Sequence, residues 1–144
     1  MEPAIRRNLK NLLVVGLLIS FLIPTTTLAL DEQIPTRDEE DVFWLINYFA
    51  RQNGVDVELG LDLAEFESGF DKLAKNPNSS AKGVFQFIDG TWKALCKGNV
   101  FNTYDNVKCA MELIGKGGLS HWTADLATRA MLVREGHYKE IAFK

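Results

Sequence analysis

The chain has 144 residues, 47% of them apolar, which is enough for one compact domain with its own core and too little for two. Its 16 basic and 19 acidic side chains leave a formal charge of −3. With no basic stripe along it, nucleic acid is excluded as a partner on charge.

The first 29 residues read as the three zones of a secretory signal peptide. Arg6, Arg7 and Lys10 open the chain, Leu12 to Ile23 is uncharged and mostly apolar, and Thr27-Leu28-Ala29 places small residues near a cleavage point. A bilayer-spanning helix needs roughly 17–25 apolar residues, so this shorter run predicts export to the periplasm or the exterior rather than a permanent anchor. No cysteine stands at the cleavage point, which argues against lipidation there. Setting aside residues 1–29 removes three bases and one acid, leaving a mature charge of −5.

Residues 30–40 are acidic, hold Pro35 and lack periodicity, so they are expected to form a flexible lead-in to a domain spanning 41–144. Val42, Phe43, Leu45, Ile46 and Phe49 recur at helical spacing until Gly54. Asp56 then caps a second helix, with Leu59, Leu63 and Phe66 on one face, ending near Gly69. The Asn76-Pro77-Asn78-Ser79-Ser80 run is a loop, Gly83 to Phe87 is short and apolar, and Asp89 to Leu95 returns to helical spacing. Trp92 reads as core. Thr103 or Asp105 is expected to cap a further helix through Ile114, closed by Gly115, Gly117 and Gly118, and Thr123 to open a last one running to about Glu135. The fold class is therefore mainly α in a single domain, with at most a small hairpin near Gly83.

Cys96 and Cys109 are an even pair in a chain read as exported, which predicts one disulfide; two buried free thiols are the alternative. His121 and His137 lie far from both cysteines and from each other, so neither a metal nor a cofactor is expected.

Glu67 is the candidate for chemistry. A lone helical glutamate is ordinarily a solvated charge, but this one stands where a helix gives way to a loop, flanked by Phe66 and Phe70. A carboxyl against aromatic rings loses hydration, and its pKa rises toward the range of a general acid. Asp62 and Glu65 point to other faces of the helix, so no second acid is required by spacing.

Three stretches carry a family resemblance: Glu67-Ser68-Gly69-Phe70-Asp71, then Ser80-Ala81-Lys82-Gly83-Val84-Phe85-Gln86-Phe87, then Thr91-Trp92. Together they resemble the soluble lytic transglycosylase (SLT) domain of the lysozyme-like superfamily. Asp105-Asn106-Val107 is similar to that family's next block, and Gly117 to Trp122 to the ending of a small phage-like and secreted subset. Asp89 stands where a proline is usual, and no Ala-Tyr-Asn block is visible, Trp122 falling in that region.

The resemblance implies a lysozyme-like fold and peptidoglycan glycan strands as substrate. Glu67 would protonate the oxygen between N-acetylmuramic acid and N-acetylglucosamine, then take a proton from the muramyl C6 hydroxyl to close a 1,6-anhydro ring. It further implies sugar contacts from Ser68, Phe85, Gln86 and Asn106, with Trp122 as a stacking platform and Tyr138 as a candidate positioning tyrosine. The expected protein is a monomer acting on its own wall or for an envelope-spanning secretion, conjugation or phage assembly. A lysozyme on the same fold and a non-catalytic glycan-binding envelope component are the alternatives. The missing second acid weighs against the first, and Glu67 itself against the second.

Overall fold

The computed structural model describes residues 33–137, so the expected signal segment and Tyr138 lie outside the described residues. Six helices follow in order: α1 (Val42–Gln52), α2 (Val57–Ser68), α3 (Asp89–Leu95), α4 (Thr103–Gly115), α5 (Ser120–Thr123) and α6 (Leu126–Arg134). The expected hairpin reduces to two isolated bridges, Lys75 with Lys82 and Lys82 with Phe87. No described helix is long and apolar enough to cross a membrane.

Side chains that accept from the first free N–H groups start the longer helices. Asp41 accepts from Trp44 N at 3.0 Å to begin α1, and Asp56 from Glu58 N at 2.8 Å to begin α2. The cap of α4 is Asn102, whose Oδ1 accepts from Asp105 N at 3.0 Å, rather than the expected Thr103 or Asp105. Thr103 instead lies inside the first turn, 1% exposed. The final helix starts later than expected: a short α5 ends at Thr123, and Asp125, in extended backbone, rather than Thr123, caps α6. Capping by Asp125 competes with helix continuation at this point, a local choice that apolar spacing does not report.

The core is one cluster. Leu45, Ile46, Phe49 and Ala50 of α1 meet Val107, Ala110, Met111 and Ile114 of α4, and α2 adds Leu59, Leu63 and Ala64. Gly60 of α2 allows this close approach, since a Cβ there would stand 2.9 Å from Ile46 Cγ2. Met131 and Leu132 bring α6 against α2. Phe66 departs from its expected core face and is 44% exposed.

Cys96 and Cys109 form the expected disulfide, joining the end of α3 to α4 with their Cα atoms 5.7 Å apart. Residues 33–40 are irregular, as expected, yet they are not loose. Pro35 is buried, Arg37 pairs with Asp105 at 2.5 Å, and the Arg37 carbonyl accepts from Asn102 Nδ2 at 3.2 Å.

Candidate active site

In the segment Gly83–Phe87, main-chain bonds satisfy the amides of Gly83, Gln86 and Phe87, and side chains from three helices satisfy Val84 and Phe85. Ser68 Oγ, on α2, reaches the Val84 carbonyl at 2.8 Å. Asn106, on α4, accepts from Phe85 N at 3.0 Å and donates to the Val100 carbonyl at 2.7 Å. Trp122 Nε1, on α5, donates to the Phe85 carbonyl at 2.9 Å. Gly83 makes the crossing possible: its φ is +76°, and a Cβ would stand 2.5 Å from the Val100 carbonyl oxygen.

These contacts give structural partners to four residues expected at the sugar. Phe85 and Asn106 are fully buried. The Ser68 hydroxyl is committed to main-chain carbonyls, Ala64 being the other at 3.2 Å. Trp122 lines the cleft at 6% exposure, with its ring set edge-to-face against Phe85 and Phe87. The matched blocks thus hold a loop in place, and the loop forms the floor of a cleft.

That cleft has a volume of about 450 Å³. Its lining comes from Phe66 and Glu67 of α2, from the segment holding Asn76, Gln86, Phe87, Ile88 and Thr91, and from His121, Trp122, Ala124, Asp125 and Thr128. Gln86 is thus at the cleft and holds a strained φ of +47°. Its amide nitrogen donates to the Gly83 carbonyl at 2.9 Å and the Ala74 carbonyl at 3.4 Å. A non-glycine residue in this conformation costs about 1–3 kcal/mol and recurs where a site must be held open or aimed. Phe66 and Ile88 expose 44% and 50% of their surfaces, giving the cleft apolar edges against which a sugar face can lie.

Glu67 sits in the last turn of α2, which ends at Gly69 in the left-handed conformation with φ +61°. Burial is the main reason its pKa is pushed up to about 7; the Asp125 charge adds to the rise, and a hydrogen bond from Thr128 opposes it. Thr128 Oγ1 lies 3.3 Å from Glu67 Oε1 and 3.2 Å from Asp125 Oδ2. Asp125 also accepts from Thr128 N at 3.0 Å, and these α6 amides hold its carboxyl below the usual range. One carboxyl in the cleft is therefore held neutral toward pH 7 while its neighbour stays ionised.

Asp125 and Thr128 carry no motif, and reasoning from the sequence passed over both. The available signal was the Asp125-x-x-Thr128 spacing of a helix cap, masked by the expectation that one helix ran from Thr123. Among the described residues, no group of three or more histidine, cysteine, aspartate or glutamate side chains could hold a metal ion.

The family model for the transglycosylase SLT domain matches residues 45–118, just over half of the chain. The match includes Glu67 and the cleft floor and stops before Trp122, Asp125 and Thr128. No solved structure matches the chain.

Proposed function

Because the chain belongs to the transglycosylase SLT domain family, we propose that it is an exported peptidoglycan lytic transglycosylase with Glu67 as its acid and base. The observation that carries this reading is the placement of the Glu67 carboxyl, partly buried at the end of α2 in a cleft with exposed apolar edges, where burial pushes its pKa up to about 7. The proposed exported form begins after residue 29, and residues 41–144 make up the catalytic domain.

In the first step, Glu67 gives its proton to the oxygen linking N-acetylmuramic acid to N-acetylglucosamine, and the C1–O bond breaks. The N-acetyl carbonyl oxygen bonds to C1 as the leaving sugar departs. The muramyl C6 hydroxyl then displaces that oxygen, and the Glu67 carboxylate takes the C6 hydroxyl proton. This closes the 1,6-anhydro ring and restores the starting acid without consuming water.

Hydrolysis is the second reading, and Asp125 is the observation in its favour. The shared Thr128 hydroxyl keeps the nearer oxygens of Glu67 and Asp125 within about 6.5 Å of each other, a spacing at which a second carboxylate can serve a glycosidase. Product mass separates the two. Muropeptides released from sacculi are expected to carry anhydro ends, each lighter by one water than a reducing end. Reducing ends throughout would assign the hydrolytic role to Asp125.

A further inference from the structure

The Thr128 hydroxyl has one proton and faces two carboxyl oxygens at nearly equal distances, Asp125 Oδ2 at 3.2 Å and Glu67 Oε1 at 3.3 Å. It can donate to only one of them at a time. The two acceptors are not equivalent. Asp125 is exposed to water and already accepts from Thr128 N, whereas Glu67 is partly buried and its carboxyl accepts from the Thr128 hydroxyl. Thr128 itself is 2% exposed, so its Oγ1 is held between the two groups while the hydroxyl hydrogen remains free to turn.

We infer that Thr128 is a positioning residue, whose hydroxyl turns between Asp125 and Glu67 in step with the protonation of Glu67. This rests on the acid and base reading of Glu67 given above. While Glu67 is neutral, the charged Asp125 is the stronger acceptor and holds the Thr128 proton. When Glu67 has given its proton to the departing sugar, its Oε1 becomes a desolvated carboxylate, and the hydroxyl swings to donate to it. Asp125 loses little, because its backbone donors and water remain. When Glu67 recovers a proton from the C6 hydroxyl, the Thr128 proton returns to Asp125. No proton leaves Thr128 at any stage; one O–H bond rotates.

Among the described residues lining the cleft, His121 on α5 and Asp125 before α6 are the titratable groups besides Glu67. The loop across the floor contributes only the neutral amides of Asn76 and Gln86. His121 is exposed and has no hydrogen bond to Glu67, which leaves Asp125 and Thr128 as the groups that bias Glu67's titration.

The test is a carbon-detected NMR titration of the Glu67 carboxyl in the wild type and in Thr128→Val, Thr128→Ser and Asp125→Asn, with rates on sacculi measured alongside. Thr128→Val keeps the shape and removes the donor, so the Glu67 midpoint is expected to rise and kcat to fall about tenfold with KM unchanged. Thr128→Ser is expected to restore both. Asp125→Asn removes the neighbouring charge and frees the hydroxyl for Glu67, so the midpoint should move down. A packing role alone would not move the midpoint in opposite directions. A Glu67 midpoint that stays put in a folded Thr128→Val protein overturns the inference. If Glu67→Gln proves as active as the wild type, the catalytic reading fails instead, and the NMR midpoints still decide the switch.

Discussion

The Trp122 indole donates to the Phe85 carbonyl across 37 positions of sequence, at 2.9 Å, while its ring packs against Phe87. The residue is a buried strut under the cleft. Trp122→Ala is expected to cost about 3–5 kcal/mol of stability through lost packing and cavity formation. Trp122→Phe keeps most of the packing, removes the donor to Phe85, and is expected to cost about 1–3 kcal/mol. Urea unfolding of the two variants checks the order.

Asn106 makes the complementary contact, accepting from Phe85 N and donating to the Val100 carbonyl from a fully buried position. Asn106→Leu matches it in size but strands two main-chain groups away from water. A loss of about 2–6 kcal/mol is expected, because each of the two buried polar groups left unpaired costs about 1–3 kcal/mol. Thermal unfolding measures it, and a near-neutral result would mean that water reaches Phe85 N or the Val100 carbonyl.

Much of this architecture was legible in the sequence. The bounds of α1, α2 and α3, the disulfide and the place of Glu67 at a helix end all follow from periodicity, caps and cysteine arithmetic. These are local signals. The roles of Ser68, Phe85, Asn106 and Trp122 were not legible, because a motif records that residues occur together and not whether they face a ligand or a loop. In this fold they fasten Val84 and Phe85 from three helices. Asp125 and Thr128 were missed for a related reason: their partner, Glu67, lies 58 and 61 positions away. No spacing rule connects a cap on one helix to a carboxyl on another.

The elevated pKa of Glu67 has a sign that stability must follow. An ordinary carboxyl in the unfolded chain ionises near 4.5, while the folded group holds its proton up to about 7, so the folded state binds more protons between those values. Stability contributed by this group is full below about 4.5 and is lost as pH rises through 7. Glu67→Gln removes the penalty. It is expected to be more stable than the wild type at pH 8.5 by about 1–2 kcal/mol, after allowing for the part of the carboxyl that water still reaches, and equal to it at pH 4. Paired denaturation curves at the two pH values decide this.

Removing the Cys96–Cys109 crosslink is expected to cost about 3 kcal/mol by releasing the loop from α3 to α4 in the unfolded chain. The cleft residues lie elsewhere, so a Cys96→Ala, Cys109→Ala protein should keep its specific activity at temperatures where it stays folded. Activity and urea midpoint measured on the same preparation separate the two effects.

Activity should also follow the Glu67 proton. The proposed first step uses the neutral acid, so kcat/KM on sacculi is expected to level off below pH 7 and to fall about tenfold per pH unit well above it. Initial rates from pH 5 to 9 give the midpoint directly.

The most direct test of Glu67 as the acid and base is the release of soluble muropeptides from sacculi at pH 6 by the wild type and by Glu67→Gln, with circular dichroism confirming that both are folded. The glutamine variant keeps size and polarity but cannot give up or take the proton. Release by the wild type, with a fall of at least about a thousandfold in the variant, is the expected result. Comparable release by the two proteins would contradict the account and place the chemistry elsewhere.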